Sequence, residues 1–148
     1  MRSIIAVLAF ILLKGSAFGQ DPVHWKFTAK KMAGMQYEIH CTAAISGSWH
    51  IYSQTTPEGG PVPTSFTFVN NAMLNREGLV KENGKMTTRR EEVFGINVKY
   101  FEGQVDFVQT VTLKAKIKTN ISGTVSYMVC NDSQCLPPRS VAFNIALK

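Results

Sequence analysis

Gln36-Tyr37-Glu38-Ile39-His40-Cys41-Thr42-Ala43 alternates polar and apolar residues without a break. Successive side chains of an extended strand point to opposite faces, so this period of two predicts a half-buried strand with Tyr37, Ile39, Cys41 and Ala43 facing a core. The same period recurs along the chain. Val105, Phe107, Val111, Leu113, Ala115 and Ile117 share one parity, while Gln109 interrupts that face and Val108 sits opposite, which predicts a bulge nearby. Val125, Tyr127 and Val129 alternate with Ser126 and Met128, and Val141, Phe143, Ile145 and Leu147 repeat the pattern at the end. Shorter strands are predicted at 24–29, 49–52, 65–69 and 86–90.

The connectors between these runs carry turn chemistry. Gly47-Ser48, Pro57-Glu58-Gly59-Gly60-Pro61, Asn83-Gly84 and Asn120-Ile121-Ser122-Gly123 punctuate the alternation, and residues 71–75 suggest one short turn. No stretch carries a helical stripe and no repeat is visible. About seven or eight short strands in one domain predict an all-β fold, an antiparallel β-sandwich of immunoglobulin type.

The N-terminus reads as an export signal. Arg2 supplies positive charge, Ile4 to Leu13 is apolar throughout, and Gly15-Ser16-Ala17-Phe18-Gly19 is small and cleavable. That run is too short for a bilayer, which takes about 20 residues, and no cysteine follows it to carry a lipid. Cleavage after Gly19 sets a signal peptide at 1–19 and a mature domain at 20–148, with no membrane insertion of the mature chain and a periplasmic or secreted location. Of 16 basic and 10 acidic residues, Arg2 and Lys14 leave with the signal, so the mature net charge is +4. The lysines are spread out, and Lys114, Lys116 and Lys118 read as one solvated strand face, so nucleic acid is not an expected partner.

Export gives the cysteines their meaning, because two nearby thiols persist as a disulfide in an oxidising compartment. Of Cys41, Cys130 and Cys135, only the last two are close in sequence. In Tyr127-Met128-Val129-Cys130-Asn131-Asp132-Ser133-Gln134-Cys135-Leu136-Pro137-Pro138, Cys130 ends one strand and Val141 begins the next. The pair thus flanks a hairpin connection, and Pro137-Pro138 stiffens the return. Closing so short a loop gives only about 2 kcal/mol, so the bridge reads either as a weak staple or as an accessible redox couple. The spacing lacks the helix-start geometry that lowers a thiol pKa in C-x-x-C motifs. His24, His40 and His50 do not complete a zinc ligand set, and no metal or cofactor is expected. Cys41, in phase with Tyr37 and Ile39, reads as a buried small hydrophobe. No Ser/His/Asp set, phosphate loop or carboxylate pair stands out.

The hairpin resembles that of the N-terminal domain of the thiol:disulfide interchange protein DsbD family, in which a tyrosine, two cysteines and a Pro-Pro step recur. Gly47-Ser48-Trp49-His50-Ile51-Tyr52 resembles the family's Gly-aromatic strand, and Glu91-Glu92-Val93-Phe94-Gly95 its acidic-aromatic cap segment. The resemblance runs across most of residues 23–147. It implies an immunoglobulin-like fold, thioredoxin-like donors of reducing equivalents, and exported disulfide proteins as clients, including those of cytochrome c biogenesis. It implies that Cys135 forms the mixed disulfide and Cys130 resolves it, and that an aromatic cap shields the pair. Trp49 and Tyr52 read as partly core, with Tyr52 a candidate for packing beside the hairpin. One carboxylate of Glu91 or Glu92, near the sulfurs, would raise their pKa. The chain departs from the family pattern in having four residues between its cysteines where the best-known member has five. Alignment sets Val93 at the cap position with Phe94 beside it. The membrane and thioredoxin-like parts of the family's full protein do not appear, which implies separate partners. The rival expectation is a non-enzymatic binding module with a structural hairpin disulfide.

Overall fold

A computed structural model describes residues 19–148. The signal expected over 1–19 lies, Gly19 apart, outside the described residues. The described strands in chain order are β1 (Val23–Lys31), β2 (Gln36–Ile45), β3 (His50–Tyr52), β4 (Ser65–Phe68), β5 (Leu74–Glu91), β6 (Ile96–Leu113), β7 (Thr119–Tyr127), β8 (Val129–Cys130) and β9 (Arg139–Leu147). They form two antiparallel sheets, an immunoglobulin-like β-sandwich as the alternation predicts. Strand β6 is the spine of the larger sheet. One of its edges pairs with β5, and the other pairs with β2 through Gln104–Thr112 and with β3 through Tyr100–Glu102. Strand β8 hangs on β3. The smaller sheet has the order β4-β7-β9. Among the described residues no helix is long and apolar enough to cross a membrane.

The alternating residues meet between the sheets. Tyr37, Ile39, Cys41, Ala43, Val105, Phe107 and Val111 come from the larger sheet, and Ile121, Tyr127, Phe143, Ile145 and Leu147 from the smaller. Each large apolar side chain so buried contributes about 1.5–3 kcal/mol of transfer free energy. Trp25 joins the layers, its ring centroid 5.8 Å from Phe107 and 5.4 Å from Tyr127. Asp21 clamps the same corner by accepting hydrogen bonds from the Val23 amide at 3.0 Å, the Tyr127 hydroxyl at 2.9 Å and Arg139 Nη1 at 2.8 Å. It thereby ties the start of β1 to both β7 and β9.

Several local expectations give way to the structure. The turn predicted at Asn83-Gly84 is absent, since both residues pair with β6 inside β5. Asn120–Gly123 likewise lies within β7. Gly123 is there for close approach rather than turning, because a Cβ on it would sit 2.4 Å from the Thr67 carbonyl oxygen and 2.8 Å from Phe143 Cζ. Ala115 and Ile117 fall beyond β6, so Lys114, Lys116 and Lys118 lie in the connection to β7 and not along a strand. Gln109 does not break its face. It is buried in phase with Phe107 and Val111, and the bulge lies on β5, where Gly78, Leu79 and Val80 oppose Gln109 alone. The irregular backbone supplies what a buried amide needs: Gln109 Nε2 donates to the carbonyls of Glu77 at 3.1 Å and Thr110 at 2.9 Å.

A second, smaller cluster forms on the outer face of the larger sheet. Ile51 and Val129 point into the main core. Their strand neighbours Tyr52 and Cys130 point the other way and pack with Val98 and Tyr100, flanked by Ile96 and Met128.

Candidate redox site

Cys130 and Cys135 are joined as a disulfide, with Cα atoms 4.0 Å apart. The loop between them is ordered by its own polar groups. The Asn131 side-chain oxygen accepts from the amides of Ser133 at 2.9 Å and Gln134 at 2.8 Å, and the Asn131 amide donates to the Gln134 carbonyl at 2.8 Å. An asparagine that bonds its own backbone two residues on is a turn former, so Asn131 shapes this loop together with the disulfide. Beyond it the Leu136 amide donates to the Val129 carbonyl at 2.9 Å, continuing the hairpin.

The two sulfurs lie in different surroundings. Cys130 pairs with His50 across β3–β8 and is 1% exposed, whereas Cys135 stands in the open loop, exposed to solvent. Behind Cys130 are Tyr52 and Tyr100, with the His50 ring 4.5 Å from that of Tyr100 and His50 Nε2 3.1 Å from the Tyr52 hydroxyl. Burial and the negative charge of Glu91 push the Tyr52 phenol up to about 12, so it stays protonated. Burial, helped by the Arg89 charge, lowers the His50 imidazole from its usual range.

Arg89 organises the polar rim. Its guanidinium lies 5.3 Å over the Tyr100 ring and donates to Glu91 Oε1 through Nε at 2.9 Å and Nη2 at 2.6 Å. Nη1 reaches Asp132 in the cysteine loop at 3.3 Å. One cation thus links the root of the 91–95 segment to the cysteine hairpin. The Glu91 carboxylate, expected near the sulfurs, is neutralised by this cation, and Glu92 points to solvent near Arg90. The segment turns tightly, with the Gly95 amide donating to the Glu91 carbonyl at 2.8 Å and Gly95 at a φ of 67°. Val93 is 88% exposed, while Phe94 is 48% exposed with its ring against Gly60. Gly60 makes room for Ile96 first and Phe94 second, since a Cβ there would stand 2.7 Å from Ile96 Cδ1 and 3.3 Å from Phe94 Cγ.

Cys41 stays apart, free and buried, and burial, with the negative charge of Asp106 adding to it, pushes its thiol up to about 12. Among the described residues no group of three His, Cys, Asp or Glu side chains is placed to hold a metal. The sequence reading singled out the cysteines, Tyr52 and the 91–95 segment but missed Arg89, Tyr100, Asp132 and the placement of His50. His50 was within reach: it alternates with Ile51 in phase with Tyr52.

An all-β sandwich that carries a cysteine pair in an exposed hairpin, backed by buried aromatics, defines a class of thiol–disulfide domain. The model of the family described as "Thiol:disulfide interchange protein DsbD, N-terminal" matches residues 19–147, and the chain belongs to that family. The N-terminal periplasmic domain of ScsB from Proteus mirabilis superposes with a TM-score of 0.60 at 16% identity, over 84% of this chain and 46% of that one. The chain therefore spans just under half of that structure. The reduced N-terminal domain of DsbD from Neisseria meningitidis superposes with a TM-score of 0.53 at 13% identity, over 81% of this chain and 84% of that one. At such identities the likeness is one of fold. No curated protein matches the chain in sequence.

Proposed function

We propose that the chain is an exported thiol–disulfide interchange module that takes reducing equivalents from a thioredoxin-like donor and passes them to disulfides of exported proteins. The observation that carries this reading is the contrast between an exposed Cys135 and a buried Cys130 in one short hairpin. Exchange requires in-line attack at a reachable sulfur, followed by displacement from a second sulfur held close. Cys135 suits the first role and forms the mixed disulfide. Cys130, shielded on its strand, suits the second and resolves it. Two sulfurs carry the two electrons, so the reaction asks for no cofactor. The 91–95 segment, tethered through Arg89 and Asp132, acts as a cap in this scheme, with Phe94 as its shielding ring. A periplasmic or secreted location agrees with the export signal and with the periplasmic setting of the ScsB domain.

The reduction potential of the Cys130–Cys135 couple tests the proposal. A relay falls near the thioredoxin value of about −270 mV, and a structural bridge lies below about −300 mV. A value in the lower range assigns the chain instead to binding modules with a structural hairpin disulfide.

A further inference from the structure

Resolution of a mixed disulfide at Cys135 needs Cys130 as a thiolate, yet Cys130 is 1% exposed and sits in a largely apolar cluster. A buried thiol gives up its proton reluctantly, because desolvation penalises the charged sulfur. His50 is the residue opposite Cys130 across β3–β8 and is itself only 2% exposed. Directly paired residues on neighbouring strands share a face, with Cβ atoms about 4.5–5.5 Å apart. The other ionisable groups around His50 are Tyr52 on its own strand, Tyr100 and Glu102 on β6, Arg89 and Glu91 on β5, and Asp132 in the hairpin. Glu91 and Asp132 are held by Arg89, Glu102 is exposed, and both phenols are poor bases when protonated. The imidazole is the buried base left to serve Cys130.

We propose that His50 accepts the Cys130 proton in the resolving step. This rests on the exchange reading above. Attack of the Cys135 thiolate on a disulfide R–S–S–R′ forms the Cys135–S–S–R bond and releases R′–S⁻. The Cys130 thiol then transfers its proton to the imidazole nitrogen that Tyr52 does not engage. The Cys130 sulfur attacks Cys135 Sγ, the Cys130–Cys135 bond forms, and R–S⁻ leaves with the electron pair of the broken bond. The imidazolium returns its proton to R–S⁻, and His50 is neutral again. The cysteine pair loses two electrons and the client disulfide gains them. Burial and the Arg89 charge keep the imidazole unprotonated at neutral pH, so the base is present when needed.

Stopped-flow reaction of the fully reduced chain with dithiobis(nitrobenzoate) tests this. Cys135 releases one coloured thiolate in a step that depends on reagent concentration, and Cys130 releases the second in a step that does not. In the native chain the second rate is expected to be level across about pH 7 to 8 and to fall only at lower pH, where the histidine, its pKa lowered by burial and the Arg89 charge, becomes protonated. The His50→Gln chain is expected to resolve about 100-fold more slowly at pH 7 and to speed up about tenfold per pH unit above it. A native profile that climbs tenfold per unit through neutrality overturns the inference, and needs no variant to be seen. Equal rates in the native and His50→Gln chains also overturn it while leaving the exchange reading intact. So does a Cys130 thiolate absorbance already present at pH 7 in the Cys135→Ser chain, because the sulfur then needs no acceptor. Absence of any second release in the native chain overturns the exchange reading, and this inference with it.

Discussion

Cys130 and Cys135 differ in exposure within one six-residue hairpin, and that difference predicts a division of labour. Cys130→Ser leaves the reachable sulfur without its resolver, so it is expected to accumulate a mixed disulfide with a thioredoxin-like donor on a non-reducing gel. Cys135→Ser leaves only the buried sulfur and is expected to trap little; equal trapping by both variants refutes the assignment. Cys41 is the spare thiol. Its hydroxyl replacement in Cys41→Ser, buried among Ile39, Phe107 and Ala43 without a ready partner, is expected to cost about 1–3 kcal/mol in denaturant melts while exchange is retained. The period of two shows at the sequence level that Cys41 is inside. It does not show that His50 stands opposite Cys130, because strand register depends on pairing partners far apart in the chain.

At the scale of the element, the segment 91–95 and the hairpin behave as two loops held by one guanidinium. If Phe94 is the shielding ring of the proposed cap, Phe94→Ala is expected to raise the alkylation rate of the reduced pair. An unchanged rate means that shielding comes from another residue. Gly123 shows how far glycine can mislead. Asn120-Ile121-Ser122-Gly123 has the composition of a turn, yet the glycine sits mid-strand because the Thr67 carbonyl leaves no space for a Cβ. Gly123→Ala is therefore expected to destabilise the smaller sheet by about 1–3 kcal/mol, the range for overpacking, as read from urea midpoints. Alternation made β2, β7, β9 and the second half of β6 legible, whereas β5 was expected only at 86–90 and the first half of β6 was missed. The β5 bulge was legible only through Gln109, whose polarity marks the irregularity while the irregularity itself lies on the neighbouring strand.

At the scale of the molecule, acid should weaken the fold in two separate steps. Burial by itself would raise the Asp21 carboxyl, but hydrogen bonds from the Val23 amide, Tyr127 and Arg139, with the Arg139 charge, outweigh it and hold the group below the usual range. The unfolded chain then takes up that proton first. The contribution of Asp21 is present above about pH 3.9 and is lost as pH falls from there through the lower folded value. His50 is also lowered, so the unfolded chain binds its proton more readily, and stability declines as pH drops below about 6.5 towards the folded value. Urea midpoints measured from pH 8 down to about pH 3 should lack the upper decline in His50→Gln and the lower one in Asp21→Asn. A single decline common to all three chains contradicts both assignments.

The turn between the cysteines has a consequence for recognition. Asn131 fixes that loop through amide hydrogen bonds that do not involve either sulfur. On the exchange reading proposed above, opening the S–S bond is expected to leave the outline of the hairpin in place, so a visiting protein would meet nearly the same surface before and after exchange. Docking affinity would carry little information about the state of the cysteine pair. A donor and a client would then compete for one landing site on nearly equal terms, with the order of their visits set by their concentrations and by how fast each lets go.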